Sequence, residues 1–177
     1  MPRCRLPLSI WAIPLAVASI STGCRPDDAP LGMRAPAPLP AVRVRPLTDL
    51  RFERTAERVE RGRYLAGAVI GCALCHSERD AALPGRPPVA GREYAGAILE
   101  ERPGYRLVAP NLTPDVETGA GGWSDDMLAR AIREGVGHDG RGIGGRMWWW
   151  AFRALSDEDV AAIVVYLRSL PPVRNPL

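Results

Sequence analysis

The chain has 177 residues, of which 46% are hydrophobic and 24% charged, and its formal net charge is +3. This length allows one small domain with a modest core beside a leader segment. All 23 basic residues are arginine and 20 acidic residues offset them. Such a nearly balanced charge gives no indication of a nucleic-acid partner.

The first 23 residues have the organisation of a secretory leader. Arg3 and Arg5 precede an uncharged stretch over 6–20, and the segment ends with small residues before Cys24. A basic start, an apolar centre and a small-residue end are typical of signal peptides. Two prolines interrupt the apolar stretch, and a spanning helix needs about 20 apolar residues. We therefore predict a signal peptide over residues 1–23.

The residues Ser21-Thr22-Gly23-Cys24 resemble the lipobox of bacterial lipoproteins, in which the cysteine becomes the lipidated first residue. The family usually has leucine three residues before this cysteine, where the chain has Ser21. The resemblance implies a periplasm-facing protein held at a membrane by lipid on Cys24. The alternative is ordinary cleavage nearby, which would leave a soluble periplasmic protein with a free thiol.

Residues 24–48 are rich in proline and alanine and show no sustained apolar periodicity. Polyproline-like chain extends by about 3.1 Å per residue, so this segment is predicted to be a tether. The alternative is an extended arm that packs on the domain. Residues 49–177 then form the single folded domain.

The first predicted helix covers about residues 56–70. Thr55 is the candidate N-cap, and Glu57 lies in the first turn, where an acidic residue favours the helix dipole. Apolar residues recur through the segment at helical spacing. The helix leads directly into the cysteine motif.

Cys72-Ala73-Leu74-Cys75-His76 has the spacing of a c-type haem attachment site. Each thiol can add to a haem vinyl group, and His76 can then bind the iron. A redox dithiol would be expected within alternating strands and helices, which the flanking sequence lacks. A zinc site would need His138 as its fourth ligand. We predict one covalently bound haem c.

Two further helices are predicted in the second half of the domain. The first opens at Ser124 and ends at Gly135, and the second opens at Ser156 and ends before Pro171. Ser156 begins a capping-box pattern. No stretch shows sustained strand alternation, so the predicted fold class is all-α.

The order of these parts resembles that of class I cytochromes c over about residues 55–175. Several stretches are similar to bacterial members that serve periplasmic dehydrogenases and respiratory chains. They are ERGRYL at 60–65, NLTPD at 111–115, TGAGGWS at 118–124, AIREG at 131–135 and the ending over 155–172. The resemblance implies a cytochrome c fold, with helices and long Gly/Pro-rich loops around one covalent haem.

A cytochrome c of this kind has a second axial ligand, and a thioether sulfur raises the potential relative to two histidines. Met147 lies in a glycine-rich loop before the last helix, where the resemblance places that ligand. The family commonly has proline after the methionine, whereas this chain has Trp148. His138, in a turn-forming Gly-His-Asp-Gly context, is the competing ligand, although a solvated role is favoured.

The aromatic residues near the ligand loop allow two interpretations. In the first, one or two of the three consecutive tryptophans 148–150 pack inside the domain while another lies at the surface. In the second, an exposed indole forms a docking patch beside the haem edge. Trp123 and Tyr105 are candidate hydrogen-bond donors to haem propionates, although satisfied core aromatics explain them equally well.

The expected function is that of a monohaem electron carrier rather than an enzyme. Its expected partners are a dehydrogenase as donor and an oxidase or another cytochrome as acceptor, met through small, weak interfaces. The first alternative is a dedicated electron-transfer subunit of a periplasmic dehydrogenase. The second is a haem enzyme or gas-sensing domain with an open iron site, which the unusual Met147-Trp148 junction keeps under consideration.

Overall fold

The computed structural model describes residues 45–177. The predicted signal peptide, Cys24 and the tether up to residue 44 lie outside the described residues. The elements are α1 (Ala56–Tyr64), a π-helical turn (Leu65–Val69), α2 (Cys72–Cys75), β1 (Ala97–Arg102), β2 (Tyr105–Ala109), a 3-10 turn (Ala120–Gly122), α3 (Asp125–Glu134), α4 (Trp149–Phe152) and α5 (Asp157–Ser169). Within residues 45–177, none of the helices combines the length and apolar character needed to cross a membrane.

The three predicted helices are confirmed, and their N-caps are the predicted residues. The side chains of Thr55, Ser124 and Ser156 each accept a hydrogen bond from the backbone N–H three residues ahead. Such caps satisfy helical N–H groups that otherwise lack a partner. Gly135 ends α3 with φ of +67°, a left-handed conformation that glycine adopts without strain. The first helix differs in one respect, because its last turn is π-helical.

The hydrophobic core is formed by side chains of the π-helical turn, α3 and α5, and α1 packs against α5. Gly62 of α1 is buried, and a Cβ placed on it would lie only 2.0 Å from the backbone oxygen of Ala162 in α5. The two helices can approach this closely because Gly62 has no side chain. The core side chains include Leu65, Leu128, Ile132, Val160, Ile163, Val164 and Leu167.

The expectation of an all-α fold is correct only in part, because the structure contains a two-stranded antiparallel sheet. β1 and β2 pair from Ala97 with Ala109 to Arg102 with Tyr105, with an irregularity between Ile98 and Glu100. In β1 only Ala97 is buried, and the strand therefore has none of the apolar alternation that marks a half-buried strand. The Pro103-Gly104 pair makes the turn, with φ of +75° at Gly104.

Residues 45–48, the last four of the predicted tether segment, are hydrogen-bonded to α3. Arg45 donates to Asp126 and, at 2.7 Å, to Glu134, while the Thr48 N–H donates to Asp126 at 2.6 Å. The Asp126 side chain is fully buried. The Arg45 guanidinium and the Thr48 donors lower the pKa of Asp126 to about 2 against the effect of burial. A charged Asp126 therefore fixes this segment to α3.

Candidate functional site

The two cysteines lie on a single helical turn whose direction is set by the residues before it. The Ile70 N–H donates to the Leu65 oxygen at 2.8 Å, which closes the π-helical turn. Gly71 follows with φ of +71°, and this left-handed residue redirects the chain into α2. Cys72 and Cys75 are three residues apart on α2 and therefore lie on the same side of it. Both thiols are free, Cys75 being exposed and Cys72 half-buried.

His76 is oriented by a hydrogen bond to the backbone. Its Nδ1 lies 2.8 Å from the carbonyl oxygen of Pro110, which follows β2. Because a carbonyl oxygen only accepts, Nδ1 carries the proton and donates it. The neutral ring then has its free lone pair on Nε2, the arrangement found in metal-bound histidines. Burial lowers the pKa of His76 despite this hydrogen bond, and it therefore favours the neutral ring.

The geometry gives no support to the dithiol and zinc alternatives. Burial raises the pKa of the Cys72 thiol to about 11, whereas redox-active dithiols have a thiol with a lowered pKa. Among residues 45–177, no group of three or more His, Cys, Asp or Glu side chains is placed to hold a metal ion. A poorly ionised Cys72 thiol does not fit a redox-active dithiol.

Met147 is half-buried and packs against the same core cluster as Cys72. Its loop is held on both sides of the methionine. The Trp149 N–H donates to the Met147 oxygen at 2.8 Å, and the Arg146 guanidinium bonds Glu100 of β1 at 3.1 Å. The hairpin missed by sequence reasoning thus supports the methionine loop.

His138, the competing ligand, lies at the surface. Its imidazole stacks on the indole of Trp123, with ring centroids 4.4 Å apart and planes inclined by 29°. Trp123 is half-buried and packs against the core cluster, whereas His138 is exposed. This position agrees with the solvated role favoured for His138.

The three consecutive tryptophans have different environments. Trp149 is buried, and its indole covers Gly135 so closely that a Cβ on this glycine would lie 2.5 Å from the ring. Trp148 and Trp150 are 64% and 47% exposed. Tyr105 is exposed on β2 beneath the guanidinium of Arg102, which lies 4.6 Å from the ring centre. The prediction that the tryptophans divide between interior and surface is confirmed.

Pro110 is the site residue that sequence reasoning missed. It directly follows β2, where proline is tolerated because no ladder partner is needed for a backbone N–H. The group that acts on His76 is the backbone carbonyl, which every residue type has. The sequence therefore holds no signal that could have identified this contact.

The donor set fits haem c. Two thiols lie on one helical turn, the next residue is an imidazole with its Nε2 lone pair free, and a thioether packs on the same core. Paired thioether bonds with His and Met as axial ligands are a known set for c-type haem. The site combines these donors with an apolar core.

Comparison with known proteins defines the class to which the chain is similar. No family model matches the sequence. Curated relatives include the cytochrome c subunits of several dehydrogenases.

Individual relatives are much longer than the chain. A nicotinate dehydrogenase subunit of Pseudomonas putida is 37% identical over 121 residues, which are 68% of this chain and 9% of the relative. The gluconate 2-dehydrogenase cytochrome c subunit of Pantoea cypripedii is 33% identical over 116 residues, which are 65% of this chain and 24% of the relative. A dihaem c-type cytochrome of Cereibacter sphaeroides is 29% identical over 102 residues, which are 58% of this chain and 33% of the relative. The chain thus spans at most about a third of each.

Proposed function

We propose that the chain is a c-type cytochrome with one covalent haem that serves as the electron-transfer subunit of a dehydrogenase. The observation that carries the proposal is the His76–Pro110 hydrogen bond directly after the paired cysteines, because it leaves Nε2 free for iron. The names of the relatives favour a dedicated subunit over the mobile carrier expected from the sequence. The subunit interpretation therefore replaces the carrier as the main proposal.

Each site residue has a distinct role in this proposal. Cys72 and Cys75 would hold the haem through thioether bonds, and His76 and Met147 would bind its iron. The haem supplies an iron that accepts and releases one electron. The Pro110 carbonyl keeps the His76 ring in one orientation, and the core of α1, α3 and α5 excludes water from the centre.

Burial supports Met147 over His138 as the second ligand. Met147 packs against the core cluster that includes Cys72, whereas His138 is exposed and stacked on Trp123. Moving His138 into the core would require breaking that stacking contact.

A single haem is supported by the sequence itself. The chain contains one Cys-x-x-Cys-His motif, and two of its four cysteines lie in that motif. The dihaem relative is longer than the matched region, since the match covers 33% of it. Its second haem therefore has room outside the part that resembles this chain.

The proposed contact surface for the partner is formed by Trp148 and Trp150, which flank the buried Trp149 beside the ligand loop. Exposed aromatic residues are enriched in protein interfaces, where they bury large areas at small entropic cost. Their exposure of 64% and 47% is large for tryptophan. The partner proposed for this surface is the catalytic subunit of the dehydrogenase.

The proposed location is the periplasmic side of a membrane, with a lipid on Cys24 after removal of residues 1–23. The sequence Ser21-Thr22-Gly23-Cys24 supports this placement. Mass spectrometry of the membrane fraction would test it, since Cys24→Ser should abolish the lipid adduct and release the protein into the periplasm. Release of wild-type protein without an adduct would instead indicate ordinary cleavage.

The decisive experiment is to produce the mature protein with a c-type haem maturation system and to examine its spectra. We expect haem that survives denaturation, the weak long-wavelength band of methionine-bound ferric haem, and no binding of carbon monoxide. Met147→Ala should remove the band and allow carbon monoxide to bind. Met127→Ala is the matched control, because Met127 is also half-buried but lies on α3.

Three results would contradict parts of the proposal. Absence of covalent haem would refute the proposal that the chain is a c-type cytochrome. Carbon monoxide binding by the wild type would favour the open-iron alternative. Loss of the spectral signature in His138→Ala rather than Met147→Ala would make His138 the ligand. The subunit role itself is tested by purification with the dehydrogenase encoded nearest to it, where a stable complex is expected.

A further inference from the structure

His76 is hydrogen-bonded to the rest of the domain at two points. Its Nδ1 donates to the Pro110 carbonyl at 2.8 Å, and its own carbonyl accepts the N–H of Gly96 at 2.8 Å. The two partners lie in different segments of the chain, 94–96 and 110–113. A metal-binding histidine is normally oriented by contacts of this kind. The orientation of the His76 ring therefore depends on where both segments lie.

Tyr94 shows that the first of these segments is held firmly. The residue is buried and has φ of +61°, a left-handed conformation that is unfavourable for a bulky side chain. Its N–H donates to the Ser77 hydroxyl at 2.9 Å, and its carbonyl accepts the Leu112 N–H at 2.8 Å. Such strain persists only where the surrounding structure imposes it, and it is concentrated at functional sites. The backbone that carries the Gly96 N–H is thus fixed against a local preference.

Val173, four residues after the end of α5, is bonded to the segment that follows Pro110. Its carbonyl accepts the side-chain N–H of Asn111 at 2.7 Å, and its N–H donates to the Thr113 hydroxyl at 3.1 Å. Asn111 and Thr113 are only 3% and 1% exposed. These bonds set the position of the chain directly after the carbonyl that orients His76.

The Asn175 side chain reaches the other segment. Its Nδ2 donates to the Ala95 carbonyl at 2.9 Å, and its Oδ1 accepts a hydrogen bond from the Arg92 guanidinium at 2.8 Å. Its backbone N–H donates to the Thr118 hydroxyl at 2.8 Å, and the same hydroxyl accepts a hydrogen bond from Asn111 at 3.2 Å. Asn175 therefore links the two segments, directly on one side and through Thr118 on the other.

Leu177 adds an apolar contact to this arrangement. A Cβ placed on Gly96, which has φ of +89°, would lie 2.5 Å from a methyl group of Leu177. The three contacting residues, Val173, Asn175 and Leu177, are alternate positions, and alternate residues lie on one side of an extended chain. One side of the segment after α5 thus packs on both supports of His76.

We infer that residues 173–177 form a positioning element for the axial ligand His76, with Asn175 as its central residue. The inference rests on the proposed function, in which His76 binds the haem iron, and extends it to the segment after α5. Asn175 acts on His76 through the two backbone segments. The hydrogen bond from Nδ1 to a carbonyl makes the imidazole a more basic ligand. The element that fixes this carbonyl therefore influences the reduction potential.

The test is the reduction potential of the holoprotein in wild type and in Asn175→Ala. The variant should loosen both supports of His76, which weakens the hydrogen bond at Nδ1 and makes the ring a less basic ligand. A less basic ligand stabilises oxidised iron less, so the potential should rise. Loss of a second-shell partner typically changes metal affinity or activity by about 10–100-fold. We expect the lower end, about a tenfold increase in the equilibrium constant for reduction, which is about 59 mV for one electron.

The direction of the change separates positioning from a purely structural role. A loss of packing that merely admitted water would stabilise the more highly charged oxidised iron and would lower the potential. Ser169→Ala is the matched control, because it also removes a neutral side chain that donates to a backbone carbonyl. That carbonyl, of Tyr166 at 2.7 Å, lies within α5. The potential of this variant should equal that of the wild type.

An unchanged or lower potential in Asn175→Ala, with haem still covalently attached, would overturn the inference alone. Absence of attached haem in the wild type would instead refute the proposed function.

A second measurement needs no variant. Hydrogen exchange in the reduced, nitrogen-labelled wild-type holoprotein reports how often the Nδ1–H of His76 and the backbone N–H of Asn175 become accessible to water. We expect the two groups to open together, with protection factors that agree within about tenfold. A larger difference would show that the ring opens or stays closed independently of this segment, and would overturn the inference.

Discussion

Replacing Gly62 by alanine tests the close crossing of α1 and α5. The new Cβ would lie 2.0 Å from the Ala162 oxygen and 2.6 Å from the Tyr166 Cβ, where ordinary contact begins at 3.4 Å. The obstructing oxygen belongs to a helix backbone, so the helices must separate by about 1.0–1.4 Å to bring this contact to 3.0–3.4 Å. A gap of this size forfeits roughly a quarter to a half of the contact energy across the interface.

The expected loss follows from the core that these helices share. Large aliphatic side chains there contribute about 1.5–3 kcal/mol each on burial, and overpacking typically costs about 1–3 kcal/mol. Alanine regains about 1 kcal/mol through its helix propensity. We expect a net destabilisation of about 2 kcal/mol and a Tm lower by about 8 °C for a domain of this size.

Gly67→Ala is the control, and thermal and denaturant unfolding of the two holoproteins is the assay. Gly67 is exposed in the following π-helical turn, and a Cβ there meets only the Tyr94 hydroxyl at 3.6 Å. This variant should be unchanged or slightly more stable. If Gly62→Ala proves as stable as Gly67→Ala, the helices do not cross at Gly62 as described.

Two further predictions concern buried groups. The pKa of Asp126 is lowered to about 2 from 3.8, so its contribution of about 2 kcal/mol is complete above pH 4 and is lost as the pH falls through 2. Denaturant unfolding measured between pH 2 and 5 should therefore show a smaller acid-induced loss of stability in Asp126→Asn than in the wild type. Asp49→Asn, at an exposed position, is the control and should behave like the wild type. Equal profiles for the two variants would contradict the stabilising role of the charged Asp126. Trp149→Ala should lower the free energy of unfolding by about 3–5 kcal/mol, whereas Trp148→Ala should change it by less than about 0.5 kcal/mol. Similar losses for the two tryptophans would show that the buried indole is not Trp149.

The helices could be predicted because their signals are local. Thr55, Ser124 and Ser156 are the N-caps that the sequence indicates, and Gly135 ends α3 as predicted. A cap acts within one turn of chain, so its partner is always a neighbour in sequence. The π-helical turn could not be predicted in this way. Its hydrogen bond joins residues five apart, and it forms because of the direction in which the chain continues into α2.

The hairpin was missed because its faces lack the usual pattern. Most β1 residues are exposed or half-buried, so apolar residues do not alternate with polar ones. The Pro103-Gly104 pair was a usable turn signal, since proline and glycine favour the two central positions of a type II turn. The Pro103-Gly104 turn is therefore the one local signal of the hairpin in this part of the sequence.

The features of the candidate site also divide into those that the sequence indicates and those that only the structure reveals. The spacing of Cys72, Cys75 and His76 is a sequence signal, whereas the hydrogen-bond partner of His76 depends on the tertiary fold. The pairing of Arg45 with Asp126 is likewise tertiary, because the two residues are 81 positions apart in the sequence.

The hydrogen bond between His76 and Pro110 has a consequence for ligand exchange at the proposed iron. The ring cannot rotate away without breaking a backbone contact, and the next residue, Asn111, is itself tied to the Val173 carbonyl at 2.7 Å. Met147 has no comparable restraint on its side chain within the described residues, and its loop is preceded by Gly144 and Gly145. If the proposed site holds haem, an added ligand such as imidazole should therefore compete with Met147 rather than with His76.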